Sequence, residues 1–236
     1  MLFERTGRLL QGLQERCYPQ SIPVTGWKMK QVPTRLTFRQ ALELNGWEDM
    51  REPYLWGGHR ARFWFRAQVT LPDDFAGQCV VFRLTTGKEG EWDACNPQFA
   101  VYVNGERRQG FDVNHRELFL TDCAKGGETY DLTLSAFTGD QNFTLFLRGT
   151  VDVLDRETEQ YYYDVKVPYE IARLEDPESD AYGKILPALT HSLNLLDLRQ
   201  RENGEAYRRT LSLAREALQK DLYEKGCRPQ DGPVML

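Results

Sequence analysis

Two polar segments of this sequence hold the residue types best suited to chemistry. The first, residues 88–97, combines acidic residues with Trp92, Asp93 and Asn96. An indole ring can stack on the face of a pyranose, and carboxylate and amide groups beside it can bind sugar hydroxyls. Asp and Asn also hydrogen-bond their own backbone in loops. The segment is therefore either a sugar contact or a loop closed by local turns, with Trp92 covering a sheet edge.

The second segment, residues 109–117, contains Asp112, Asn114 and His115 between two apolar runs. These side chains could bind a ligand, contact a partner domain, or satisfy their own backbone in a tight connection. An Asn-Gly pair at 104–105 favours a two-residue hairpin turn between the two segments. Because the chain reverses there, we expect both segments at the same end of one sheet.

No other local pattern supports a catalytic or metal site. The three histidines, at 59, 115 and 191, have no second His or Cys at zinc-ligand spacing. The five cysteines stand singly, which argues against a disulfide framework. GxSxG, GxxxxGK[ST] and GxGxxG motifs are absent. We therefore predict no catalytic residue, metal ligand or cofactor in this chain.

The periodicity of apolar residues predicts an α+β fold. Spacings of three and four predict a helix over residues 1–17, and the period changes to two between 60 and 154. Seven or eight short runs separated by Gly-rich turns predict an antiparallel β-sandwich. After Asp155, a suitable N-cap, the helical period returns, and Pro168 is expected to kink or split the helix.

Composition describes an ordinary globular protein. Apolar residues make up 41%, charged residues 28%, and the formal net charge is −5. There is no basic stripe for nucleic acid, no signal-peptide pattern and no apolar run of membrane-spanning length. We expect a cytoplasmic protein that binds neither nucleic acid nor membrane.

Four segments resemble the N-terminal, non-catalytic region of glycoside hydrolase family 38 α-mannosidases, and the resemblance spans roughly 20–225. They are Trp92-Asp-Ala-Cys-Asn-Pro-Gln-Phe-Ala-Val-Tyr-Val-Asn-Gly105, Gln109-Gly-Phe-Asp-Val-Asn-His-Arg-Glu117, Tyr161-Tyr-Tyr-Asp-Val-Lys-Val167 and Leu193-Asn-Leu-Leu-Asp-Leu198. The resemblance implies a jelly-roll-like β-domain and a helical connector, followed by a catalytic domain that holds zinc or another divalent metal and uses an Asp nucleophile. None of those catalytic residues maps onto this chain, where His-x-Asp does not occur.

We therefore expect four regions: an N-terminal helix and mixed lead-in (1–59), a β-sandwich (60–154), a helical connector (155–226) and a linker toward a catalytic domain (227–236). The expected partners are the enzyme's own catalytic domain, a mannoside or oligosaccharide, and further copies of the chain. Two alternatives stay open, a free-standing carbohydrate-binding module and a protein–protein interaction domain.

Overall fold

A computed structural model describes residues 2–89, 96–199 and 203–224, and the chain forms two compact units. The β unit is continuous and covers Gln20–Val153. The helical unit is discontinuous and combines Met1–Pro19 with Leu154–Leu236.

The described part of the β unit contains antiparallel sheets, which confirms the predicted α+β fold with an antiparallel sandwich. The strands are β1 (Gln20–Val24), β2 (Lys28–Val32), β3 (Glu48–Asp49), β4 (Leu55–Gly58), β5 (Arg62–Thr70), β6 (Val80–Thr85), β7 (Gln98–Val103), β8 (Glu106–Phe111), β9 (Glu117–Thr121), β10 (Thr129–Phe137), β11 (Phe143–Phe146) and β12 (Arg148–Val153). One sheet has the strand order β1-β12-β6-β9, a second has β3-β2-β5-β10-β7-β8, and β11 pairs with β4.

The core of the β unit follows the alternation of apolar residues along its long central strands. Phe63 and Phe65 of β5 are buried, and Leu132 and Leu134 of β10 are fully buried. Leu134 pairs with Phe65 in the register of these two strands. Successive side chains of a strand point to opposite faces, so these residues form the inner face of the six-stranded sheet.

The division into units differs from the predicted boundaries at the N-terminal side. Strands begin at Gln20, whereas the sandwich was expected to begin at residue 60. β1 contains Pro23, and β2 has the sequence Lys-Met-Lys-Gln-Val, so neither shows the apolar alternation that identifies a half-buried strand. Pro23 is compatible with β1 because β1 lies at the edge of its sheet.

A short helix, α2 (Phe38–Leu42), lies in the connection between β2 and β3. Thr37 begins it with a capping box, in which the Thr37 hydroxyl accepts from the Gln40 backbone and the Gln40 side chain accepts from the Thr37 backbone. Ala41 of this helix packs with Trp64 and Val32 in a small separate cluster. Trp64 lies on β5 between the inward-facing Phe63 and Phe65, so this cluster covers the outer face of the six-stranded sheet.

The helical unit packs around one apolar cluster. Asp155 caps the second of its helices, as predicted, because its side chain accepts from the Thr158 backbone. That helix continues through Pro168, so of the predicted kink or split the split does not occur. The next helix continues through Pro187. Pro168 is buried in the helical unit. The helices are α1 (Leu2–Arg16), α3 (Arg156–Leu174), α4 (Asp180–Asn194) and α5 (Glu205–Leu218), followed by a π-helical turn at Gln219–Tyr223.

None of the helices in the described ranges has both the length and the apolar character that crossing a bilayer requires.

Candidate functional site

Asn96 of the first polar segment and Asp112 of the second lie at one end of the β7–β8 hairpin. Trp92 and Asp93 lie outside the described residues, whereas Asn96 is half-buried just before β7. Phe99 of β7 pairs with Phe111 of β8. Asn96 and Asp112 therefore lie at the same end of the hairpin, as predicted for this part of the two segments.

Asp112 caps its own loop. One of its carboxylate oxygens accepts hydrogen bonds from the backbone N–H groups of Asn114 at 2.8 Å and His115 at 2.7 Å. The Nδ1 atom of His115 lies 3.1 Å from the same oxygen. Partial burial raises the pKa of Asp112, but these hydrogen bonds outweigh it and hold the pKa below its usual value. Three roles were considered for this segment: ligand binding, contact with a partner domain, and a local turn. The hydrogen bonds of Asp112 to the backbone show the local turn.

The Asn96 side chain lies close to Gly139 in the connection between β10 and β11. A Cβ atom added to Gly139, which has φ +83°, would lie 2.5 Å from the Asn96 Cγ atom. Arg60 donates its backbone N–H to the Gly139 carbonyl at 2.9 Å, and its Nε atom lies 3.3 Å from Asp140 Oδ1. These contacts hold the turn at Gly139, which leaves no room for a side chain at residue 139 next to Asn96.

A second candidate site lies on the outer face of the six-stranded sheet. A groove of about 190 Å³ opens there, and a neighbouring space of about 410 Å³ shares its central residues. We call the two together the outer groove. The residues common to both spaces are Arg35, Leu36, Ala100, Arg107 and Ser135; Arg62, Gln98 and Phe137 line the first, and Thr37, Phe38 and Tyr102 line the second.

The outer groove was not predicted from the sequence. The alternation in β5 does place Arg62, Trp64 and Arg66 opposite the buried Phe63 and Phe65. This alternation predicts a polar outer face of β5, but it does not identify the strands that lie beside β5. The groove becomes visible only once β10, β7 and β8 are known to follow in that order.

Metal ligands do not converge in the described ranges. No group of three or more His, Cys, Asp or Glu side chains in residues 2–89, 96–199 and 203–224 could hold a metal ion. These residues therefore do not fit the divalent ion that the family resemblance implies for a catalytic domain.

Comparison with known proteins identifies one family. A family model described as "Alpha-mannosidase, jelly roll domain" matches residues 18–142. No curated protein sequence matches the chain.

Solved structures give only distant likenesses. A β-glucuronidase from Ruminococcus gnavus shares 13% identity over 57% of this chain and 30% of its own, with a TM-score of 0.42. A β-glucuronidase from an uncultured Clostridium sp. shares 16% identity over 58% of this chain and 29% of its own, with a TM-score of 0.40. The chain thus spans less than a third of the length of these proteins.

Proposed function

Because the chain belongs to the family of alpha-mannosidase jelly roll domains, we propose that it is the non-catalytic N-terminal part of an α-mannosidase. In this proposal the full-length enzyme hydrolyses terminal α-mannosides in carbohydrate metabolism. The reacting groups and a zinc or other divalent ion belong to a separate catalytic domain. The observation that carries the proposal is the family match, which covers more than half of the chain and most of the β unit.

The geometry of the polar loops supports a structural role for this chain. Asp112 uses its carboxylate to bind two backbone N–H groups. Glu89 does the same with the backbone N–H groups of Thr86 at 2.6 Å and Gly87 at 2.9 Å. Burial raises the pKa of Glu89, and these hydrogen bonds lower it to below its usual value. General acid catalysis needs a carboxyl group with a raised pKa, and both of these shifts have the opposite direction.

The helical unit offers a surface for the catalytic domain. Tyr163, Val167, Ile171 and Leu174 follow each other at helical spacing along α3, and their exposed fractions range from 46% to 83%. We call these four residues the α3 stripe. A row of large exposed apolar side chains typically marks an interaction surface. We assign it to the catalytic domain of the same enzyme, because the matching family is itself a domain of α-mannosidases.

Activity measurements on the isolated chain and the full-length enzyme test this proposal. The purified chain should not hydrolyse an aryl α-mannoside, with or without added zinc, whereas the full-length enzyme should. Hydrolysis by the chain alone would contradict the proposal.

A matched pair of variants in the full-length enzyme tests the α3 stripe. Ile171→Asp should lower the melting temperature and activity of the enzyme because it places a charge in the interface. Leu213→Asp is the control, because Leu213 is 50% exposed on α5 and lies outside the stripe. If both variants had the same melting temperature and activity, the assignment of the α3 stripe to the catalytic domain would be contradicted.

We also propose that the enzyme is a cytoplasmic homo-oligomer. Size-exclusion chromatography with light scattering measures the oligomeric state, and a monomer at all concentrations would contradict it.

A second candidate function, carbohydrate binding by the β unit, is favoured by one observation, the outer groove.

A further inference from the structure

The outer groove owes its shape to small residues in the middle of the sheet. Ser135 of β10 pairs with Trp64 of β5 on one side and with Ala100 of β7 on the other. These residues form a row across the outer face, and two of them are small. Space therefore remains above Ser135 and Ala100.

Larger residues form the two sides of this row. On one side, Phe137 pairs with both Arg62 and Gln98. On the other side, Tyr102 pairs with Arg107. Same-face residues of a strand lie about 7 Å apart, so these two rows are separated by about 14 Å. Two arginine side chains can reach into that gap from opposite sides.

The groove is lined by cations without carboxylates. Arg35, Arg62 and Arg107 contribute guanidinium groups, and none of the residues lining either space is Asp or Glu. Across the described ranges, no ion pair involves any of these three arginines. Guanidinium groups are planar, weakly hydrated forks that bind phosphate and carboxylate oxygens in pairs. The charge of the groove therefore selects an anion.

Aromatic contacts hold parts of the groove in place. The Arg62 guanidinium lies 4.3 Å from the centre of the Phe137 ring, and this contact orients it within the groove. Phe38 stacks on Tyr102 with ring centres 4.4 Å apart. Ring faces beside hydroxyl and amide groups are the surroundings that carbohydrates prefer. The combined space is within the size range of small-molecule sites.

We propose that the outer groove binds a carbohydrate that carries an anionic group, a phosphate or a carboxylate. The guanidinium groups of Arg62 and Arg107 hold the anion, and Gln98, Ser135 and the neighbouring rings contact the sugar. The carbohydrate part of this inference rests on the proposed function, whereas the anion part rests on the groove alone.

Titration of the purified full chain with defined probes tests the inference. The probes are mannose 6-phosphate, glucuronate, mannose and inorganic phosphate, measured by calorimetry at low salt and again at high salt. We expect saturable binding of at least one anionic sugar, at least tenfold tighter than mannose and weakened by salt. Comparison of mannose 6-phosphate with glucuronate decides between phosphate and carboxylate as the preferred group.

Variants locate the site. Arg62→Gln and Arg107→Gln should each weaken binding about tenfold or more, as expected when a charge-assisted hydrogen bond is lost. Ser135→Met keeps all three charges but fills the floor of the groove, and it should also weaken binding. Arg51→Gln is the control, because Arg51 is an exposed arginine of the same unit that does not line the groove. Circular dichroism checks that each variant is folded.

The outcomes separate this inference from the proposed function. The outer groove would be refuted as a binding site if no probe bound saturably. It would also be refuted if Arg62→Gln and Arg107→Gln bound the probes as tightly as the wild type. Inorganic phosphate binding as tightly as both anionic sugars would overturn the carbohydrate part. None of these results affects the outcome of the aryl α-mannoside assay, which tests the proposed function independently.

Discussion

Replacement of Asp155 by alanine should lower the free energy of unfolding of the helical unit by about 3 kcal/mol. Asp155 connects two segments that are distant in sequence, the start of α3 and the segment from Asn203 to Arg208. One carboxylate oxygen accepts from the Thr158 backbone at 3.1 Å, and the other accepts from Asn203 at 2.6 Å and lies 2.6 Å from Arg208 Nη2. The Asp155 side chain is only 3% exposed, whereas that of Arg208 is 41% exposed.

The magnitude follows from these contacts. Loss of the N-cap costs about 1 kcal/mol, and loss of the charged hydrogen bond from Asn203 costs about 1.5 kcal/mol. The ion pair with Arg208 adds about 0.5 kcal/mol, because water can rehydrate a partly exposed guanidinium. Asp155→Asn keeps the N-cap and one neutral hydrogen bond, so it should cost roughly half as much.

Urea unfolding followed by circular dichroism at 222 nm measures these differences, since the helical unit dominates that signal. Asp180→Ala is the control, because Asp180 is exposed in the first turn of α4, and it should change stability by less than about 0.5 kcal/mol. The reasoning would be refuted if Asp155→Ala also stayed within about 0.5 kcal/mol of wild type. It would equally be refuted if the Asn variant were as unstable as the Ala variant.

Three further predictions concern pH, a buried hydroxyl chain and a crowded glycine. Burial raises the pKa of Tyr207 to about 12, so its contribution to stability is complete below about pH 10 and is lost as the pH rises toward 12. The helical circular dichroism signal should therefore fall over this pH range, and an unchanged signal up to pH 12 would contradict this. Ser192 donates its hydroxyl proton to the Ala214 carbonyl and therefore accepts from the Tyr161 hydroxyl at 2.6 Å. Ser192→Ala should cost about 2 kcal/mol and Tyr161→Phe about 1 kcal/mol in urea unfolding, and the reverse order would count against this. Gly139→Ala should destabilise the β unit by about 1–3 kcal/mol because of its positive φ and its contact with Asn96. In thermal unfolding, adding Asn96→Ala should restore part of the lost stability, and if it restores none, the whole cost comes from the backbone conformation.

The fold was predictable where one physical signal dominated. The alternation in β5 and β10 identified their inner faces because both strands have one buried side. Asp155 was identifiable as an N-cap because it directly precedes a helical pattern. β1 and β2 were missed because their side chains are mostly exposed or half-buried, and apolar periodicity therefore does not mark them.

The sites were predictable to a smaller extent. The Asn-Gly turn was sufficient to place Asn96 and Asp112 at one end of a hairpin. It could not decide which groups the Asp112 carboxylate binds, since that depends on the loop conformation. The outer groove depends on the order of β5, β10, β7 and β8, and pairing between strands distant in sequence leaves no local pattern.

The two ends of the β unit are neighbours, because Gln20 and Val153 are paired residues of β1 and β12. The β unit is therefore an insertion between α1 and α3, and its entry and exit lie about one strand spacing apart. During synthesis, α1 leaves the ribosome long before its partners α3, α4 and α5, and it must wait until the whole insertion has been made. The same geometry makes the β unit a removable module, since a short linker between residues 19 and 154 could close the helical unit without it.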